Sequence, residues 1–154
     1  EKANSEAFEL TGKGLGVRVV KDSNGREYQS ANVKEGFHFV KIFKVDVRDM
    51  LELFDLSLIT CGVIYKSIPY LHFPTNTLVF KGENPTVEMI CEKFGIGKTK
   101  LLAVLKELES MEIIKRKKLN GQTIIYFNPF LHSSGLVDND TIQMFKGSLY
   151  DPNK

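Results

Sequence analysis

The chain has 154 residues, 42% of them apolar and 26% charged, with a formal charge of +2. That length suits one domain with a real core, and the balance is wrong for a disordered segment. No apolar run approaches the roughly 18 residues that cross a bilayer, and "EKANSEAFEL" lacks the basic, apolar and small-residue succession of a signal peptide, so the expected address is cytoplasmic and no membrane partner is expected.

In chain order, "LGVRVVKDSNGREYQSA" places β-favouring residues on both sides of Asn24-Gly25, a pair that tolerates the positive φ angles of a tight turn, and predicts a hairpin. "FHFVKIFKV", residues 37–45, alternates in part and predicts a strand or extended arm. In "DVRDMLELFDLSLITCGVIYKSIPYL" the positions Val47, Met50, Leu51 and Phe54, then Leu58, Cys61, Ile64, Tyr65 and Ile68, recur at three- and four-residue intervals. They predict two helices, or one broken near Asp55. "TNTLVFKG" predicts a short β segment after Pro74, and a helical run follows from Asn84 or Pro85 to Met111. "EIIKRKK", "LNGQ" and "TIIYFNP" predict a second Asn-Gly hairpin. The tail "VDNDTIQMFKGSLY" predicts one more amphipathic helix with Ile142, Phe145 and Leu149 on one side.

The charge is unevenly spread. Residues 93–118 hold eight bases against three acids, a local charge of +5 that leaves −3 for the remainder. Such asymmetry predicts a positive face directed at an anionic partner, nucleic acid being the common case.

Within this basic stretch "GKT", residues 97–99, suggests a phosphate-gripping loop, but the pattern needs a glycine where Glu92 stands and a strand where "TVEMICEKF" is helix-like. "GKGLGVR", residues 12–18, likewise lacks the last glycine of a dinucleotide fingerprint. The alternative is a helix-turn-helix. Thr86 is the expected N-cap of a first helix whose residues Val87, Ile90, Cys91 and Phe94 form one stripe. Gly95 ends it, Gly95-Ile96-Gly97 turns the chain with Ile96 in the core, and a second helix starts near Lys98. Winding that helix buries Leu101, Val104, Leu105 and Leu108, and points Thr99, Ala103 and Lys106 outward with Lys98 and Lys100 on the flanks. Lysines in a first turn oppose the macrodipole, and become useful when that turn meets DNA.

Lys115, Arg116, Lys117 and Lys118 follow at once on a strand leading to the turn that holds Asn120, Gly121 and Gln122. Helix, turn, helix and basic ribbon is the order of a winged helix, whose wing meets backbone or minor groove. Strand alternation sends Arg116 and Lys118 to one face and Lys115 and Lys117 to the other, without deciding which pair meets phosphate. Ile113, Ile114, Ile124, Ile125 and Phe127 are expected to dock the ribbon on the helices. The expected DNA-contacting set is therefore Thr86, Gly97, Lys98, Thr99, Lys100, Ala103, Lys106, Lys115, Arg116, Lys117, Lys118, Asn120 and Gln122. The fold class expected is α+β, with a hairpin extension in residues 1–36 and a winged helix-turn-helix domain with a C-terminal helix in residues 37–154.

With those segments in place the chain resembles the RepL-type plasmid replication initiators, small winged-helix proteins of Gram-positive bacterial plasmids. The resemblance runs through "SNGRE", "FHFVKIF", "MLELFDL", "TNTLVF", the helix-turn-helix and "EIIKRK" to "YFNPFLHSSG", and is most specific in "IIKRK" and "FNPFL". It departs at Ser134, where a basic residue is expected, and in the longer wing "LNGQTII". It implies origin binding, within a plasmid or phage genome, and recruitment of host replication proteins. A winged-helix transcriptional repressor and a winged-helix protein-interaction module are the alternatives. No enzyme activity and no cofactor are expected: His38, His72 and His132 lie apart without partner motifs, and Cys61 and Cys91 are read as buried thiols rather than ligands. A homodimer is expected, since one recognition helix spans few base pairs.

Overall fold

The computed structural model describes residues 16–21, 23–32 and 39–154. The chain divides into two units, residues 1–38 and 39–154. In the first, β1 (Gly16–Lys21) and β2 (Glu27–Asn32) pair antiparallel from Gly16 opposite Asn32 to Lys21 opposite Glu27. Gly25 takes φ +76° in the turn, a conformation that the Asn-Gly pair tolerates.

The second unit is α+β, with five helices and small antiparallel sheets among the described residues. Of the arm predicted over residues 37–45, residues 37 and 38 lie outside the described residues; in the rest, β3 covers Lys41–Ile42, paired with β8 (His132–Ser133), and residues 44 and 45 are helical instead. Helix α1 (Lys44–Leu53) begins directly after it. The break near Asp55 is real, because Ser57 caps α2 (Leu58–Ser67) by accepting a hydrogen bond from the Thr60 N–H.

The buried face of α2 differs from the predicted stripe. Leu58 and Tyr65 stand 90% and 76% exposed, while Thr60, Val63, Ile64 and Ser67 are buried. The apolar count misled because the inward hydroxyls are satisfied: Thr60 Oγ1 donates to Glu107 Oε2 at 2.9 Å and Ser67 Oγ to the Val63 carbonyl at 2.7 Å.

After a 3₁₀ turn at Ile68–Tyr70 the chain forms β4 (Leu71–His72) and β5 (Thr77–Leu78), then α3 (Val87–Phe94) and α4 (Lys98–Ser110). β6 (Ile114–Leu119) and β7 (Gln122–Phe127) complete a sheet of order β4-β5-β7-β6. Its hairpin closes on Asn120 and Gly121 at φ +50° and +77°, the double positive φ of a type I′ turn. Leu78, Ile90, Leu101, Leu108, Ile113, Ile114, Phe127 and Leu131 fill the core between helices and sheet. Helix α5 (Asn139–Phe145), capped by Asp138, ends before Leu149. The expected tail stripe therefore stops at Phe145, which is buried, and Leu149 is 47% exposed.

Two buried asparagines tie these pieces together. Asn76 is fully buried; its Nδ2 donates to the Phe127 and His132 carbonyls at 2.9 and 2.8 Å, and its Oδ1 accepts from the Ser134 N–H at 2.9 Å. Asn128 Nδ2 donates to the Glu112 carbonyl at 2.9 Å and to Ser148 Oγ at 3.2 Å, joining the exit of α4 to the tail. Removing such a side chain strands backbone groups without water, at about 1–3 kcal/mol for each. Asn76→Ala is expected to destabilise the fold by at least about 3 kcal/mol. Asn76→Asp should cost more, since it aims a carboxylate at two carbonyls. Chemical denaturation of both variants checks the order.

Candidate nucleic-acid interface

Helix α3 carries the expected cap. Thr86 Oγ1 accepts from the Met89 N–H at 3.2 Å, and Ile90 and Phe94 are buried with Val87 and Cys91 half-buried beside them. Gly95 sits at φ +68°, ψ +41°, and its N–H and that of Ile96 both donate to the Cys91 carbonyl, at 2.9 and 3.1 Å. Only a residue at ease in the left-handed region ends a helix this way without strain. Lys66 Nζ donates to the Phe94 carbonyl at 2.9 Å, closing the same helix end.

Helix α4 buries Leu101, Val104, Leu105 and Leu108 as the periodicity requires, and exposes Thr99, Ala103 and Lys106. Lys98 and Lys100 are exposed on opposite flanks. Its N-cap, Gly97, supplies no side-chain hydrogen bond, and no acid of α4 stands in its first turn, so the helix's own residues do not offset the positive end of its dipole. Leu102, unremarked in the sequence, is 39% exposed on the edge turned toward the hairpin. There a cleft of about 350 Å³ lies between the two helices and the ribbon, lined by Thr86, Leu102, Arg116, Gly121, Gln122 and Thr123 among others. The hairpin turn thus stands beside the start of α3 and the edge of α4. Lys117, Lys118, Asn120 and Gln122 are exposed on it.

The basic residues do not act as one patch. Lys115 Nζ donates to the Met144 carbonyl and lies 5.3 Å from the Phe145 ring centroid, so it faces α5 and serves the fold. Arg116 gives two N–H groups to Glu109 Oε2, from Nε at 2.9 Å and Nη2 at 2.6 Å, partly buried against α4. Lys98 Nζ pairs with Glu88 Oε1 at 3.0 Å across the interhelical turn. The hydrogen bond from Lys98 holds the Glu88 carboxyl below its ordinary range, and the same bond raises the Lys98 ammonium above its own. Both groups are more than half exposed, so water and salt screen the pair. Lys93 lies over the Tyr70 and Phe80 rings at 4.9 and 5.0 Å. Four lysines of the stretch, Lys100, Lys106, Lys117 and Lys118, stand exposed with no internal partner among the described residues.

The alternation of Arg116 and Lys118 against Lys115 and Lys117 is present, but the sides are occupied at the root of the hairpin and open only toward its tip. The counter-charges Glu88 and Glu109 escaped the sequence reading, since each meets its partner across a turn, ten and seven residues away. Ile113, Ile114, Ile125 and Phe127 are buried and Ile124 half-buried, as the docking of the ribbon needs. Asn128, within "FNPFL", is the residue that joins ribbon, helix and tail.

Among the described residues no three His, Cys, Asp or Glu side chains converge as metal ligands, and no helix is long and apolar enough to cross a membrane. Cys61 and Cys91 are half-buried rather than buried. His38 lies outside the described residues and His72 is exposed. His132 is buried, and its Nδ1 has no hydrogen-bond partner among the described residues. No protein-family model, no curated protein and no solved structure matches the chain.

Burial pushes the His132 imidazole down to about 4 from an ordinary 6.5. The unfolded chain therefore binds a proton between those values that the folded chain refuses. The stability His132 protects is complete above pH 6.5 and is lost as pH falls toward 4, by about 3 kcal/mol at the lower end. Urea denaturation at pH 7, 6, 5 and 4 should show this fall, and His132→Asn should flatten it.

Proposed function

We propose that residues 39–154 form a winged helix-turn-helix that binds double-stranded DNA, and that the protein is a plasmid or phage replication initiator which occupies its origin and recruits host replication proteins. The observation that carries the DNA reading is the outward face of α4. It is exposed, free of acids in its first turn and flanked by lysines, and a ribbon with two unpartnered lysines lies beside it. A helix N-terminus with these features suits phosphate at its end and base edges along its outer side. In this reading α4 lies in the major groove, where Thr99 and Ala103 are short enough to approach bases. Lys100 and Lys106 flank them, Thr86 at the start of α3 meets the backbone, and Lys117, Lys118, Asn120 and Gln122 of the wing meet phosphate or minor groove. Lys115 drops out of the contact set, and Lys98 and Arg116 take part only by leaving their carboxylates. The reading needs neither cofactor nor catalytic group.

The resemblance in "IIKRK" and "FNPFL" favours initiator over transcriptional regulator; the contact chemistry is the same for both. A homodimer would supply two half-sites. The exposed Leu58, Ile59 and Tyr65 of α2 support self-association through that helix.

Titration of a duplex with salt tests the reading. If the four unpartnered lysines each neutralise one phosphate, log affinity should fall against log salt with a slope of about −3 to −4. A flat response would favour a protein-interaction module. Lys117→Ala with Lys118→Ala should make the slope shallower by about 2 on every sequence, whereas Thr99→Ala should cost about 1–3 kcal/mol at a preferred site only. Footprinting on the DNA flanking the gene, followed by replication of a plasmid bearing the protected segment, separates initiator from regulator: protection without replication sinks the initiator.

A further inference from the structure

We propose that Glu88 and Glu109 are specificity-determining residues: each holds one cation back from phosphate, and the two together suppress sequence-independent binding to duplex DNA. This rests on the DNA reading above and adds a role for two acids that a DNA-facing surface would otherwise be expected to lack.

The geometry is the argument. Lys98, Leu102 and Glu109 follow one another at four- and seven-residue spacing and so form a single edge of α4. Glu88 reaches that edge from the first turn of α3 and Glu109 belongs to it, while Arg116 reaches it from the hairpin. Of these residues Leu102 and Arg116 line the cleft that separates helix from ribbon, as do Thr86 and Val87, which directly precede Glu88, so the two pairs sit at the edge along which this reading passes the duplex. Sequence-independent affinity grows with the number of phosphates that cations neutralise. A lysine already bonded to a carboxylate must give up one anion to gain another, and the released carboxylate is then left near a like-charged backbone. Lys98 and Arg116 therefore add little to a loose complex held by charge alone. They become available where base contacts to α4 already hold the duplex close.

Glutamine keeps the length and the hydrogen-bonding oxygen while removing the charge. With the full chain and a random-sequence 20-base-pair duplex as probe, fluorescence anisotropy between 50 and 200 mM salt reads the slope. Glu88→Gln is expected to steepen it by about 0.9, so that the variant gains about 3.5-fold more affinity than the unmodified protein between 200 and 50 mM. In a Lys98→Gln background Glu88→Gln should leave the slope unchanged, because no cation remains to be freed. Glu109→Gln should behave in the same way, and lose its effect with Arg116→Gln. Glu52→Gln, an exposed acid of α1, removes equal charge far from either pair in sequence and should change nothing. A Glu88→Gln slope equal to that of the unmodified protein overturns the inference, as does steepening that survives Lys98→Gln. Both results leave the DNA reading standing. An unmodified protein without salt-dependent duplex binding overturns the reading and this inference with it. Should Glu109→Gln fail to fold, the solvent-exposed Glu88 pair decides the matter alone.

Discussion

The joining of the β4–β5 turn to the exit of the ribbon depends on one buried amide. Asn76 lies at a turn between two-residue strands, β4 and β5, which are too short to organise a sheet through their own ladder. Its side chain bonds to backbone groups on both sides of the chain that leaves β7, and its carbonyl accepts from the Phe127 N–H at 3.0 Å. Two segments far apart in sequence, the turn at Asn76 and residues 127–134, are thereby held with every polar group of that side-chain amide satisfied. In a dry interior such a network is worth having only when complete, and here it is complete. Asn128 repeats the arrangement from the other side, and the ribbon is rooted between them.

From that root outward the electrostatics divide. Near the core, cations serve the protein: Lys115 reaches a carbonyl, Lys93 covers two rings, and Arg116 is drawn onto α4 by Glu109. Toward the tip and along the outer side of α4, lysines have no internal partner among the described residues. A count of charge over residues 93–118 sees all of these as equal. The folded chain does not, because a cation already paired offers less field to a partner than one facing water alone.

Much was legible from local signals. Asn-Gly turns at both hairpins, the Thr86 cap, the Gly95 stop and the four-residue inward stripe of α4 are short-range effects, in which steric freedom and helical period act within a few residues. Local signals fail where distant partners change the rules. Helix α2 buries Thr60 and Ser67 because Glu107 and a backbone carbonyl receive their hydroxyls, so its apolar residues Leu58 and Tyr65 were left outside. The stripe of the tail ended early because the chain leaves the helix after Phe145, and Tyr150 is instead held through its hydroxyl to the Met111 carbonyl at 2.8 Å.

The sequence by itself determined the order of elements, the inward face of α4 and the existence of a basic ribbon behind it, since propensity, capping and periodicity need only neighbours. Tertiary structure alone decided which cations remain uncommitted, which face of α2 is dry and where the ribbon stands. Each of those is set by a hydrogen bond or ion pair between residues that the chain brings together only after it has folded.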